Sequence, residues 1–469
     1  MDDPEQRALL YVQQYLRERG FGQALAALEK ECGLLYDEDK IARGSELLQL
    51  VYGQMEAEAA EPSPEGAAAA ARAEEERALL RAGRGDVPAA AAAVILGAHD
   101  TNVLSVKLWP GRDLLAAGAA DGCVKLLRFD GSVVWSARVA SGGALSLDWS
   151  PCVAAAAERE PAEAGAAGPP GGARQPEGAG GSGVRAAGQR GARSAAPRRP
   201  LLVVGSMDGS VSVLDAETGA ALASARPHAK YVVRAAVDPG GRGVIATASF
   251  DQSCCLLRLE GGAGGEALRL EVVKQVSHGA AVQDVAFLPP AAGSGAGGGG
   301  GGGAPRVVVA VREAGCLWCM DAASGEELPS IPLSTRDNHH STLSPMRLAL
   351  SPCGRYLLVA LDGPCLLVLR TSDWSRARSL FGLQVPRFHN HAVAWHGDSA
   401  YVYAAADGAS VVVFHVGSGK VVARLEGRHR INVRDLDMDG ARNLLATCSF
   451  DKSVRVFEHA GGPRAAAGV

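Results

Sequence analysis

Two periodicities divide the chain. Over the first 60 residues apolar positions recur at the three- and four-residue spacing of amphipathic helices. Leu9, Val12, Tyr15 and Leu16 share one face of a helix that begins at Pro4, with Asp3 as its cap and Gly20 as its stop. A second helix follows Phe21, placing Ala24, Leu25 and Leu28 on one side and ending at Gly33. A third starts at Ser45 and carries Leu47, Leu48, Val51, Tyr52 and Met55. Three short helices bury little core by themselves, so the unit calls for a partner surface or a second copy. Residues 61–89 read as a linker, in which Ser63-Pro64-Glu65 opens a solvent-exposed Ala/Glu/Arg helix running to Arg81.

From residue 90 onward short Val- and Leu-rich runs alternate with Gly, Asp and Ser turns, the pattern of strands. One repeat accounts for it: a strand, a tight turn, and a second strand leaving that turn, as in ATASFDQSCCLLRLE (246–260) and ATCSFDKSVRVFEH (446–459). The turns fall at Asp121, Asp208, Asp251, Ala314, Asp362, Asp407 and Asp451. Uninterrupted intervals are 43, 48, 45 and 44 residues; the two longer ones contain low-complexity inserts at 153–199 and 291–304. Before each pair stands a further apolar strand, such as VLSVKLWP (103–110) or VRDLDMD (433–439). A period near 40–45 means one four-stranded blade per repeat, and seven copies mean a seven-bladed β-propeller over 90–459. The strand Ala92–Leu96 precedes the first full repeat and can supply the outer strand that the last blade lacks, closing the ring and removing two sheet edges. Residues 460–469 read as a flexible tail.

These residues resemble two known families. The Gly97-Ala98-His99 opening, the Ser-Pro and Ser-Pro-Cys-Gly strand endings and the SFDKSVRVF segment are similar to WD repeats, across 90–459. The terminal Trp is degenerate throughout, replaced by Leu127, Leu214, Leu257, Val368, Val413 and Phe457, and blade four is the poorest copy. Leu9-Leu10, Tyr15-Leu16, the Gly20-Phe21 turn, Ala24, Leu28 and Glu31 resemble a LisH motif. That resemblance implies homodimerisation of residues 1–60 through a four-helix arrangement, with Leu9, Val12, Tyr15, Leu16, Phe21, Leu25 and Leu28 at the contact. The alternative is a helical hairpin packed on the main domain. The fold expected is thus mainly β, a WD-repeat propeller with an N-terminal α-helical module.

Composition narrows the functional classes. The net charge of −4 implies neither nucleic acid nor an anionic membrane. The acidic start Met1-Asp2-Asp3-Pro4-Glu5 lacks the basic, apolar pattern of a signal peptide, and no apolar run reaches bilayer length, so an intracellular, non-membrane protein is expected. Ten cysteines scattered through apolar segments read as small buried hydrophobes.

His228, Ser249 and Asp251 recur as His429, Ser449 and Asp451. A duplicated triad favours a structural hydrogen-bond network over catalysis, and WD repeats use such a set to tie loop to turn. Cys316-Leu317-Trp318-Cys319 has no second ligand pair for zinc, and strand geometry sends the two sulfurs to opposite faces. The glycine pattern at 178–183 sits in low complexity without a flanking strand or helix. No metal, no cofactor and no catalytic residue is assigned. The second half of the 153–199 insert carries six arginines against the single acid Glu177, read as a solvated loop or as a basic arm for an acidic partner.

The loops leading into the inner strands of blades three and five to seven carry Lys230, Tyr231 and Arg234; Arg336, Asn338, His339 and His340; Arg387, Phe388, His389 and His391; and Arg428, His429 and Arg430. A ring brings them to one rim, where Arg and His donate to carboxylate or phosphate and the aromatics add flat apolar surface. The function expected is a non-catalytic scaffold that binds protein or phosphopeptide partners on this rim. Two alternatives stand beside it. One is a ubiquitin-ligase substrate receptor, weakened because no blade ends in Trp-Asp-x-Arg. The other is a binder of anionic lipid or nucleic acid through the basic rim, with nucleic acid disfavoured by a small patch and a negative total charge.

Overall fold

A computed structural model describes residues 4–36, 47, 66–81, 87–150, 200–261, 267–289, 305–333, 344–384, 391–426 and 428–459. Two helices open it, α1 (Pro4–Glu18) and α2 (Gly22–Cys32). Gly20 and Gly33 end them with φ of 75° and 67°, the left-handed turn that glycine adopts without a Cβ penalty. The third helix expected from Ser45 lies outside the described residues except for Leu47, which is helical. The helix of the linker forms as α3 (Gly66–Arg81).

Seven four-stranded antiparallel sheets follow. Blade one is β2 (Val103–Leu108), β3 (Leu114–Ala119), β4 (Cys123–Arg128) and β5 (Val133–Arg138). Blade two is β6 (Ala144–Ser150), β7 (Leu201–Ser206), β8 (Val211–Asp215) and β9 (Ala221–Ala225). Blade three is β10 (Val232–Val237), β11 (Val244–Ser249), β12 (Ser253–Glu260) and β13 (Arg269–Ser277), and blade four is β14 (Val282–Leu288), β15 (Arg306–Val311), β16 (Cys316–Asp321) and β17 (Glu327–Pro332). Blade five is β18 (Pro345–Leu350), β19 (Tyr356–Leu361), β20 (Cys365–Arg370) and β21 (Arg376–Phe381). Blade six is β22 (Val393–Trp395), β23 (Tyr401–Ala406), β24 (Ser410–His415) and β25 (Lys420–Leu425). Blade seven takes β26 (Val433–Asp439), β27 (Leu444–Ser449) and β28 (Val454–Glu458) from the end of the chain and β1 (Ala90–Ile95) from its start.

The closing strand is therefore β1, antiparallel to β28 with Ala90 opposite Glu458 and Ile95 opposite Val454. It lies slightly N-terminal to the expected 92–96: Leu96 falls outside the ladder and is 74% exposed. The core consists of apolar clusters between neighbouring blades. The positions where a Trp was missing are all buried, Leu127, Leu214, Leu257, Val368, Val413 and Phe457 among them, and Met320 takes the corresponding place in blade four. A smaller side chain there leaves the inter-blade clusters apolar, so the degenerate Trp does not open the fold.

A meander of four strands sends its turns to two faces. The turn between the second and third strands of a blade, and the crossover from one blade to the next, share one face, here termed the crossover face. Both inserts leave the opposite face, since each joins the first and second strands of its blade, β6 to β7 and β14 to β15. That face is termed the insert face. The inserts themselves lie outside the described residues.

Candidate functional site

The duplicated His set is the best-defined polar constellation on the crossover face. His228 is buried, with Nδ1 3.0 Å from Asp251 Oδ2 and Nε2 2.8 Å from Thr247 Oγ1. His429 repeats this, 3.2 Å from Asp451 Oδ2 and 2.7 Å from Thr447 Oγ1. Ser253 and Ser453 hydroxyls complete the two sets, each donating to its Asp at 2.6 Å. Burial holds both imidazoles below their ordinary pKa, against the pull of Asp251 and Asp451. A neutral ring that donates from Nδ1 to the carboxylate accepts the Thr hydroxyl at Nε2, a proton that at Thr247 is shared with the Cys255 carbonyl 3.2 Å away.

The serines expected in these sets are placed elsewhere. Ser249 Oγ donates to the Lys230 carbonyl at 3.4 Å and accepts from the Asp251 N–H; Ser449 does the same with Ile431 and Asp451. Both serines are fully buried and neither faces its imidazole. This geometry ties the blade crossover to the turn and gives no activated nucleophile. The sequence does carry the missed partner: Thr stands two residues before the Ser in both ATASFD and ATCSFD. In blade one the corresponding position is Ala117, and His99 bonds its carbonyl instead, at 3.0 Å.

A second polar system fills the central channel. The inner strands of blades one to five carry one charge each in otherwise apolar runs, that of blade seven carries Arg434, Asp435, Asp437 and Asp439, and charges from these strands meet around the axis. Lys107 lies 2.9 Å from Asp437 and 3.5 Å from Asp148. Arg234 lies 3.5 Å from Asp284, and Arg347 contacts Asp284 at 3.6 Å and Asp435 at 3.0 Å. The same carboxylates accept backbone N–H groups from the following blade: Asp148 from Val237, Asp284 from Leu348, Asp435 from Val106 and Asp437 from Leu108. Burial works against the charges of Lys107 and Arg234, but the surrounding carboxylates outweigh it and raise both pKa values. Each carboxylate thus joins two blades as well as neutralising a cation.

The expected rim residues separate into three groups. Lys230, Tyr231, Arg428 and Arg430 are exposed on the crossover face. Arg234 is not a rim residue: it stands two positions into β10, where the bulge between Val232 and Arg234 turns it toward Asp284 in the channel. His391 is also buried, at 1% exposure. Arg336, Asn338, His339, His340, Arg387, Phe388 and His389 lie outside the described residues. Cys316 and Cys319 stand three apart on β16, and Cys319 packs in an apolar cluster. Among the described residues no group of three or more His, Cys, Asp or Glu side chains is placed to hold a metal ion.

Exposed apolar side chains accompany the cations on the crossover face, Tyr231 as the sequence pattern expects and Ile431 in addition. Tyr231 is 44% exposed and meets Phe250 edge-on at 6.1 Å; Ile431, at 49%, occupies in blade seven the position of Lys230 in blade three. Gln252 and Lys452 hold left-handed backbone, φ 72° and 65°, at turns where blades one, two and six place Gly122, Gly209 and Gly408.

In α1 the residues expected at a contact, Leu9, Val12, Tyr15 and Leu16, are half-buried, while Leu10, Tyr11, Gln13 and Gln14 are buried. Gln13 Nε2 donates to the Leu34 carbonyl at 2.6 Å, which turns this side of α1 toward the end of α2. In α2 Leu25 is buried, Leu28 half-buried and Phe21 exposed at 53%.

Comparison with known proteins agrees with this architecture. The family model described as WD domain, G-beta repeat, matches residues 93–127 and 419–458, the stretches that meet where the ring closes. Protein hir1 of Emericella nidulans is 27% identical over 161 residues, 30% of this chain. The match covers 15% of that protein's length. Among the described residues no helix is long and apolar enough to cross a membrane.

Proposed function

We propose that the chain is a non-catalytic scaffold whose WD-repeat propeller takes a peptide segment of a protein partner on the crossover face, and which dimerises through α1 and α2. The observation that carries the first part is exposed Tyr231, seated edge-on against half-buried Phe250 beside Lys230, on the face from which neither insert departs. Exposed aromatic surface next to a cation is the anchor chemistry of protein interfaces. Gln252 and Lys452 support it, since strained turns that display long polar side chains cluster at functional surfaces. Exposed cations here (Lys230, Arg428, Arg430, Lys452) are interleaved with Asp100, Glu313 and Asp407, a mixture that suits a peptide carrying both apolar and acidic groups better than a polyanion. Exposed Phe21 supports a second copy packing on the helical module.

The test is affinity purification with Tyr231→Ala and Arg430→Glu combined, in a chain whose melting curve matches the wild type. Loss of the recovered partners supports this face; an unchanged set of partners rejects it. Light scattering tests the helices: a dimer that becomes a monomer with Phe21→Asp is expected, and a monomeric wild type at micromolar concentration rejects dimerisation.

A further inference from the structure

The insert face carries an occupied helix groove. Helix α3 lies against blades five and six through Arg72, Glu75, Glu76 and Leu79, which share one helical stripe. Leu79 is 7% exposed and joins the apolar cluster that holds Tyr356, Leu380, Trp395 and Val416. Glu75 accepts from the Tyr356 hydroxyl and lies 3.4 Å from the Arg370 guanidinium. Arg378 reaches Glu76 at 2.8 Å while donating from Nε to the Gly417 carbonyl at 3.0 Å. Arg72 pairs with Asp373 at 2.6 Å. The helix backbone sits so close to the turn between β24 and β25 that a Cβ on Gly417 would stand 2.4 Å from the Leu79 carbonyl oxygen. The linker helix expected to face solvent is therefore seated on the propeller along one stripe.

The composition of the contact is that of a ligand more than of a core element. One leucine is buried, the next, Leu80, is 49% exposed, and the remaining grip is polar: half-buried Glu75 against Tyr356 and Arg370, and two ion pairs that solvent reaches and salt screens. The receiving surface offers two guanidinium groups, a phenol hydroxyl, an apolar notch and a glycine that admits a helix backbone. Those features read a short pattern, Glu-Glu-x-x-Leu in helical conformation, here Glu75 to Leu79. We propose that this groove is a docking site for an acidic amphipathic helix of that pattern, that α3 is its occupant in cis, and that a helix of the same chemistry from a partner protein displaces it.

The test uses the full chain and a fluorescent peptide of residues 64–82 as the probe. Leu79→Asp removes the buried anchor of α3 and leaves the groove intact. Gly417→Val, added to it, places side-chain atoms where the helix backbone must lie. The peptide is expected to bind Leu79→Asp at least about tenfold more tightly than wild type, whose groove is filled. Binding is expected to vanish in Leu79→Asp with Gly417→Val and to weaken with added salt. Hydrogen exchange in 66–81 should be slow in the wild type and fast in Leu79→Asp. Equal peptide binding by all three proteins, binding by none, or exchange in 66–81 as fast in the wild type as in Leu79→Asp overturns the proposal.

Discussion

Arg347 in blade five donates from Nη2 to Asp435 Oδ1 in blade seven at 3.0 Å, so two blades that are not neighbours are joined across the one between them. Blade six permits this because its inner strand is three residues long and apolar, Val393-Ala394-Trp395. The same guanidinium lies 3.6 Å from Asp284 of blade four, which is fully buried.

Removing Arg347 leaves Asp435 without its ion-pair partner and Asp284 with Arg234 alone, both in a buried setting. Arg347→Met is expected to destabilise the propeller by about 3 kcal/mol, the cost of stranding a buried charge. Lys107→Met, at a more exposed pair with Asp437 and Asp148, should cost about 1 kcal/mol. Denaturant titration of the two variants checks the order; equal losses contradict the division.

Acid should unfold the chain in two stages. Burial lowers the pKa of His99, His228, His278 and His429 below 6.5. The unfolded chain then takes up protons first as the pH falls, so stability is full at neutral pH. It declines below about 6.5 and levels off once the folded-state values are passed. At Asp251 and Asp451 burial opposes the charged form, but the Ser253 and Ser453 hydroxyls and the Ala229 and Arg430 N–H groups outweigh it and lower both pKa values. Their contribution is present above 3.8 and is lost as the pH falls through the lower folded-state values. Melting temperatures measured from pH 7 downward should show both declines. His228→Gln with His429→Gln should flatten the first, and an unchanged profile would count against the neutral-imidazole assignment.

The blade turns offer a comparison of opposite signs. Gly122 has φ 79°, and a Cβ there would stand 2.2 Å from the Ala140 carbonyl oxygen. Gly122→Ala is expected to cost about 2 kcal/mol or more. Gln252→Gly and Lys452→Gly relieve left-handed strain at φ 72° and 65° and should be neutral to about 1 kcal/mol stabilising. Thermal melts of the three variants decide it. Partner recovery should fall in the two stabilised ones if their side chains are retained for binding.

Thr247 and Thr447 each supply the hydroxyl that satisfies a buried imidazole nitrogen. Thr247→Val keeps the shape and removes that hydroxyl, and a loss of about 1–2 kcal/mol is expected. Ser249→Ala should be milder, since its Oγ reaches only backbone groups at 3.0–3.4 Å. Chemical denaturation of both variants would overturn this reading of the set if Ser249→Ala were the more damaging.

The repeat was legible because alternation and turn chemistry act within a few residues: each expected turn, from Asp121 to Asp451, lies between the two strands assigned to it. Closure by the first strand was legible from counting, since the last repeat lacks an outer strand and one apolar run precedes the first; the strand starts two residues earlier than expected. Arg234 was misplaced because loop and strand are contiguous there, and a bulge decides which way the side chain turns. Ser249 stands nearer His228's turn in sequence, but alternation puts Thr247 and Ser249 on one face of β11; Thr247, further into the strand, meets the ring, while Ser249 at the strand end bonds the Lys230 carbonyl and the Asp251 N–H. The seat of α3 depends on Tyr356, Arg370 and Gly417, between about 280 and 340 positions away, and no local pattern along an Ala-rich helix reports such distant partners.

The pairing of β1 with β28 has a consequence for biosynthesis. Strand β1 leaves the ribosome before any blade exists, and its ladder partner emerges only after the six other blades. Throughout translation β1 is an orphan with open hydrogen-bonding groups on a nascent chain, and the ring stays unsealed until Val454 to Glu458 arrive. Vectorial synthesis thus makes this long-range zip a late event. A message truncated anywhere before β28 yields a product in which β1 never gains its ladder partner, a form exposed to chaperone capture or mispairing with another copy.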